Sequence, residues 1–357
     1  QDLAVRVHDE AAPEAEPAGE HHGPSGQDHA PHGGVGLPLG IMLNARFDVN
    51  YELRNYTDDP TDGDSAFANY HHFVFLSRAS SFDPVYFSAE IVDLSFFAIG
   101  VREKVSEDWS LKAEIGKILV PFGAEPLFHH NYGGLAGFDN EVIPNVWAQY
   151  GLAAQARYGY ADGSVRIDAY AMQGYELGAA DGVVSLRTDF SSAGDAKIAA
   201  GARLSASYGP ATFYYSFLLS PLGFDRRLVA QALDATLFGI PGVPVLEDMR
   251  LSVGALRADT VGGDAPNSYE FADYLELEYR PTCWLSFRYR GGLHTVDNRE
   301  GLFYDSDRKG AGDGSAHTLA AAATWEGLTF QLSHTWRLEK ATELDNDFLR
   351  FTVSYDL

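Results

Sequence analysis

Cysteine is almost absent: Cys283 is the single one in 357 residues, so no internal disulfide is available. Methionine is scarce, at three. No apolar run approaches the roughly 18 residues of a membrane helix. The most apolar stretch, 85–101, is broken by Ser88, Glu90, Asp93 and Ser95, and the mean hydropathy is −0.18. A helical membrane protein is thereby excluded, but a transmembrane barrel is not, because its strands are apolar only at every second position. Positive charge is in short supply, with 26 Lys and Arg against 50 Asp and Glu. The net charge of −24 repels phosphates and argues against a nucleic-acid partner.

Signatures of catalysis are missing as well. There is no G-x-S-x-G, no H-E-x-x-H, no P-loop and no C-x-x-C-H, and Gly34-Val35-Gly36 precedes a Pro-containing stretch rather than a helix. The expectation is a non-enzyme without a resident cofactor. The start Gln1-Asp2-Leu3 has no basic residue and no apolar core, and the reading adopted is a secreted chain whose signal peptide has been removed.

What is present in quantity is aromatic residues and glycine. Phe, Trp and Tyr make up 13% of the chain and there are 36 glycines, a composition suited to strands and tight turns. Residues 1–36 stand apart. They are rich in Pro, Ala, Glu, Gly and His and hold no aromatic, too little apolar surface to offset the entropy of ordering. They read as a disordered periplasmic arm, followed by one domain over 37–357. Within the arm, His21, His22, His29 and His32 lie among carboxylates, a donor set for weak divalent-metal binding. The acidic stretches Asp58-Asp59 to Asp64 and Asp305-Ser306-Asp307 are further loop candidates, without EF-hand spacing.

Strict alternation begins near residue 41. Leu43, Ala45, Phe47, Val49, Tyr51 and Leu53 share one face, and Asn44, Arg46, Asp48, Asn50, Glu52 and Arg54 share the other. The same pattern recurs near 109–118, 164–174, 284–294 and 327–337. Strands of 10–14 residues suit a tilted membrane span of about 9–11 residues, whereas a soluble sandwich averages ~5–6. Turns are expected at Ala161–Ser164, Tyr208–Pro210, Arg280–Thr282 and Glu326-Gly327, and longer connections near 119–146, 175–193, 220–247 and 295–314. Direct counting gives 14 strands. Splitting 85–103 in two and placing a hidden strand within 220–247 moves the long connections at 119–146 and 175–193 to one end and gives 16. The fold class is therefore all-β, a transmembrane antiparallel β-barrel of 14–16 strands, with parity favouring 16.

Two local features carry a family resemblance. Leu349, Phe351, Val353, Tyr355 and Leu357 alternate with Arg350, Thr352, Ser354 and Asp356, which resembles the terminal assembly strand of outer-membrane proteins, with Leu357 where Phe is usual. Gly116-Lys117-Ile118-Leu119-Val120-Pro121-Phe122-Gly123 is similar to a strand-end segment of the phosphate-selective porins and their uncharacterised relatives, and Glu278 to Leu285 resembles a hairpin of the same type. The resemblance implies a porin-type barrel in the bacterial outer membrane. That family concentrates Arg and Lys in its lumen; here the signs are mixed.

The expected pore-lining residues are Arg46, Asp48, Glu52, Arg54, Lys112, Glu114, Arg166, Asp168, Glu276, Glu278, Arg288, Arg290 and Arg350. An inward constriction is expected from 119–146, with Glu125, His129, His130, Asp139 and Glu141. The implied activity is passive diffusion of small hydrophilic solutes or ions, weakly cation-preferring or unselective, through a wet lumen. Implied partners are outer-membrane lipid and lipopolysaccharide, with a homotrimer or a partner protein. The alternatives are a barrel that sheathes or anchors a cytochrome or surface lipoprotein and, third, a barrel enzyme. His334, on an apolar face, is read as a residue near the interface belt or at a local bulge.

Overall fold

The computed structural model describes residues 35–37, 41–54, 65–78, 84–91, 96–123, 148–179, 181–182, 184, 186, 189–192, 197–239, 242–296, 314–339 and 347–356. Period-two segments separated by turn residues become strands: β1 (Val35–Leu37), β2 (Ile41–Arg54), β3 (Ser65–Arg78), β4 (Val85–Glu90), β5 (Phe97–Lys104), β6 (Trp109–Leu119), β7 (Ala148–Tyr160), β8 (Gly163–Gln173), β9 (Ile198–Tyr208), β10 (Ala211–Gly223), β11 (Arg226–Phe238), β12 (Met249–Gly262), β13 (Ser268–Thr282), β14 (Leu285–Val296), β15 (Gly314–Trp325), β16 (Leu328–Glu339) and β17 (Phe348–Asp356). One helical turn, α1 (Pro244–Glu247), lies between β11 and β12. Among the described residues no helix is long and apolar enough to cross a membrane.

Each strand from β2 to β17 pairs antiparallel with its successor, and β17 pairs with β2 from Phe348↔Arg54 to Asp356↔Arg46. Sixteen strands thus follow one another round a ring, in which the β3–β4 pairing is confined to Phe75–Arg78 against Phe87–Glu90. The short β1 pairs with β2 at Val35↔Leu43 to Leu37↔Ile41, on the stretch of that strand beyond the end of β17, and so begins inside the segment read as an arm. The expected division of 85–103 occurs as β4 and β5, and the expected hidden strand is β11.

The connections segregate. At one end lie 79–84, 105–108, 161–162, 209–210, 239–248, 283–284 and 326–327. At the other lie 55–64, 91–96, 120–147, 174–197, 224–225, 263–267, 297–313 and 340–347. Left-handed backbone marks two of the tightest turns. Glu326 (φ 46°) and Gly327 (φ 82°) form one, and Phe224 (φ 53°) with Asp225 (φ 56°) form the other without any glycine. The turn expected at Arg280–Thr282 falls slightly later, because β13 continues through Pro281 to Thr282 with a register shift after Tyr279.

Burial is inverted relative to a water-soluble protein. Phe47, Val49, Ile115, Leu152, Ile167, Phe213, Leu233, Leu319, Leu332 and Phe351 are exposed, whereas Asp48, Asn50, Glu52, Asp168, Arg203, Glu276, Arg290 and Thr335 are buried. Water would not tolerate the first set on the outside of sixteen strands, nor would an oily core accept the second; lipid outside accommodates the first, and pairing on the inner face accommodates the second. Aromatics ring the outer surface at both ends. Trp109, Tyr158, Tyr160, Tyr208, Trp284, Trp325 and Tyr355 stand at the short-turn end, and Phe97, Tyr150 and Phe224 at the other. His334 meets the Trp336 ring edge-on at 4.3 Å, midway along β16.

Glycines place large inward side chains. A Cβ on Gly100 would meet the Tyr86 ring at 2.6 Å, and Cβ atoms on Gly201 and Gly254 would collide with Tyr170 and Tyr274. Each of these tyrosines lies flat over the glycine opposite it in the neighbouring strand, a cross-strand device that fixes register and curvature.

Candidate functional site

The site is the inner wall, whose two flanks differ. Along β13 to β2, polar groups pair across and along the strands. In direct register, Glu276 meets Arg290 at 3.0 Å and Glu278 meets Arg288 at 2.9 Å; Glu278 also meets Arg280 of its own strand at 2.8 Å, and His294 Nε2 lies diagonally 2.8 Å from Glu270 Oε1. Arg350 pairs with Glu52, and Thr352 donates to Asn50 at 2.6 Å. Thr318 and Thr335 join hydroxyls at 2.8 Å. Alternation supplies the mechanism: every second residue of each strand points inward, and the antiparallel register places these donors and acceptors opposite one another.

The wall from β5 to β12 carries a second texture. Leu218, Leu222, Leu228, Ala230, Ala232, Leu256 and Ala258 point inward and belong to one apolar cluster with Tyr175, Leu177, Val184 and Leu186 of the 174–197 connection. The rule that each polar half faces the lumen fails here. The reason is local: small and branched apolar side chains leave a shelf on which two long connections pack. Tyr175 N–H donates to Ser220 Oγ at 2.9 Å, its hydroxyl donates to the Leu186 carbonyl at 2.9 Å, and its ring stacks on Phe190 at 4.6 Å. Burial raises the Tyr175 hydroxyl pKa well above its ordinary value. The Lys197 ammonium, bonded at 2.6 Å, holds the Glu176 carboxyl below its own.

The other connection turns inward at its start. Gly123 N–H donates to Ser216 Oγ at 2.8 Å, and Arg203 Nη1 donates to the Gly123 carbonyl at 2.9 Å. Ser216 stands near the middle of β10, so residues 120–123 leave the rim and run along the inner wall. The five constriction candidates, Glu125, His129, His130, Asp139 and Glu141, lie outside the described residues, as do His21, His22, His29 and His32 of the arm and the acidic stretches at 58–64 and 305–307.

Solved structures share this architecture. The chain aligns over 89% of its length with all of a porin refined at 1.8 Å resolution, at TM-score 0.55 and 11% identity. OmpT of Vibrio cholerae, folded in vitro, gives TM-score 0.52 at 11% identity, covering 89% of this chain and 98% of that one. The outer-membrane channel DcaP of Acinetobacter baumannii gives 0.50 at 12% identity, covering 91% and 99%. The fold is the porin fold. No family model and no curated protein matches the sequence, so the narrower likeness to phosphate-selective porins gains no support from them.

Within this porin fold, Asp48, Glu52, Lys112, Glu114, Arg166, Asp168, Glu276, Glu278, Arg288, Arg290 and Arg350 sit on inner faces. The structure joins them into local pairs, including Lys112 with Glu114 at 2.8 Å. Arg46 and Arg54 lie in β2, opposite Asp356 and Phe348; nothing further is described for their side chains. Some of these groups are enclosed by the wall itself: Glu276 is 0% and Arg290 4% exposed, each meeting its opposite charge. Sequence reading missed Arg203, Ser216, Asp234 and Tyr274. Continued alternation through 198–208 would have found Arg203, but no periodic signal could predict that Tyr274 donates to Asp234 at 2.6 Å. Among the described residues no cluster of three metal-ligating side chains occurs.

Proposed function

We propose that this chain is an outer-membrane porin through which small hydrophilic solutes and ions diffuse passively, weakly cation-preferring or unselective. The observation that carries the reading is the inverted burial of a sixteen-strand ring: apolar side chains cover the outside and charged cross-strand pairs line the inside. A ring of this size is wider than its own wall side chains can fill. Both signs of charge stand on its inner face, and the chain as a whole carries −24, which favours cations modestly. No chemistry is required of the barrel, in keeping with a non-enzymatic role. Its partners are outer-membrane lipid and lipopolysaccharide, met by the apolar belt and aromatic rings, and further copies of itself in a trimer. The long connections face the cell exterior and the short turns the periplasm, the usual arrangement for such barrels. The arm, with His21, His22, His29 and His32, binds divalent metal weakly from the periplasmic side.

The test is conductance of the purified protein in a planar lipid bilayer under a salt gradient. Stepwise current increments and a reversal potential near zero or slightly on the cation side are expected. A folded barrel that adds no conductance refutes the channel and turns the reading to a sheath or anchor. Strong anion preference refutes the selectivity.

A further inference from the structure

The inner wall of β6 to β9 holds more positive charge than its partners neutralise. In register, Ser110, Arg157, Arg166 and Ser205 form one row, and Lys112, Gln155, Asp168 and Arg203 form the next. Asp168 is the acid that Arg166 and Arg203 share. Its Oδ1 accepts from Gln155 Nε2 at 2.9 Å, and its Oδ2 lies 3.2 Å from Arg203 Nε and 3.1 Å from Arg166 Nε. Glu114, the next acid along the wall, is paired with Lys112 and accepts from the Tyr86 hydroxyl at 2.7 Å.

Two features remain without a structural counterpart. Arg166 is only 5% exposed, yet its Nη2 has no hydrogen-bond partner among the described residues. Arg157 stands directly opposite Arg166 across the β7–β8 ladder, a like-charge pair that repels. Two guanidinium groups share one carboxylate and a third, Arg157, faces one of them, an excess of positive charge that calls for a further anion. Arg157 is half-buried, which leaves it accessible from the lumen, and Arg166 is the buried anchor behind it.

We propose that Arg157 and Arg166, with the Ser205 hydroxyl beside them, form a subsite for the carboxylate group of an organic solute in transit. The subsite rests on the channel reading and narrows it to a solute class. A planar guanidinium edge matches the two oxygens of a carboxylate. Tyr214 stands opposite Ser205 in the next strand, with Arg203 5.6 Å over its ring, so buried groups wall the subsite on that side. In a barrel of net negative charge, one such subsite selects among solutes without making the bulk current anionic.

The experiment is single-channel recording in potassium chloride with benzoate, inorganic phosphate or sulfate added in turn at neutral pH. Benzoate is expected to interrupt the wild-type current in a concentration-dependent way, more strongly than phosphate or sulfate. Arg157→Gln and Arg166→Gln each raise the half-blocking benzoate concentration at least tenfold, and Arg157→Lys, which keeps the charge and loses the fork, falls between. Should Arg166→Gln fail to fold, Arg157→Gln at its accessible position decides alone, with folding checked by heat-shift on a gel. A wild-type channel that conducts but is indifferent to benzoate overturns the subsite and leaves the channel standing. Equal or stronger block by phosphate or sulfate overturns the assignment to carboxylates. If no current appears at all, the channel reading falls, and calorimetric titration of the folded wild-type barrel with benzoate decides the subsite: heat lost in Arg157→Gln supports it, and no heat overturns it.

Discussion

Glu276→Leu tests whether the charged inner wall is a packed structure or a solvated surface. Glu276 Oε1 and Arg290 Nε are 3.0 Å apart in directly opposed positions of β13 and β14, and both residues are almost wholly buried. Removing the acid leaves a guanidinium in a poorly solvated place. Breaking such a buried pair costs about 3–5 kcal/mol, whereas an exposed pair is worth about 0–1 kcal/mol. The burial seen here predicts the first figure, a change of more than about a hundredfold in the folded-to-unfolded ratio. The double variant Glu276→Leu with Arg290→Met removes both charges and keeps the volume, and should recover most of the loss. The assay is reversible urea unfolding of the barrel in lipid vesicles, followed by tryptophan fluorescence, for wild type, both single variants and the double. A loss below about 1 kcal/mol for Glu276→Leu, or a double variant as unstable as the sum of the singles, would refute the reasoning; the pair would then be solvated and independent.

Three further outcomes follow from the same coordinates. Leu233→Arg, on the exposed outer face midway along β11, should cost about 2–4 kcal/mol of folding stability in vesicles, and a loss confined to detergent-free buffer would contradict a lipid-facing position. Gly201→Val, which drives a side chain into the Tyr170 ring, should cost about 1–3 kcal/mol and slow assembly measured by heat-shift on a gel, with Tyr170→Ala restoring part of the loss when combined. For Glu176, the depressed carboxyl pKa means that the Lys197 contact is fully present above the ordinary glutamate value of about 4.3 and is lost only as pH falls through the lower folded value. A fluorophore on the 174–197 connection should therefore report no release between pH 7 and pH 5 and increasing mobility at pH 3, a profile that Glu176→Gln abolishes.

Strand count and closure could be read from the chain because alternation is a local property that lipid enforces on every strand. Leu43 to Arg54 shows it without interruption, and parity alone forced the hidden strand that became β11. That strand escaped direct notice because Val229, Ala230, Ala232 and Leu233 put apolar residues on both faces, so period two fades where the inner wall supports packed connections rather than charge. The turn near Pro281 was misplaced by two residues because proline marked the approach to the turn, while Cys283 and Trp284 make it. Charges such as Glu276 and Arg290 could be assigned to the inner face from sequence. Their pairing could not, since it depends on the register between strands. The shared use of Asp168 by two arginines depends on three strands at once.

The uneven lining has a mechanical consequence. From β5 to β12 the ring is braced from within by the apolar shelf and the connections laid on it, whereas among the described residues that cluster draws nothing from β13 to β17 or from β2. Among the described residues, hydrogen-bonded ladders, charge pairs and hydroxyl contacts join those strands. Such a cylinder has a stiff flank and a compliant one: amide protons should exchange slowest along β8 to β12, and thinning or stretching the bilayer should distort the wall from β14 round to β2 first.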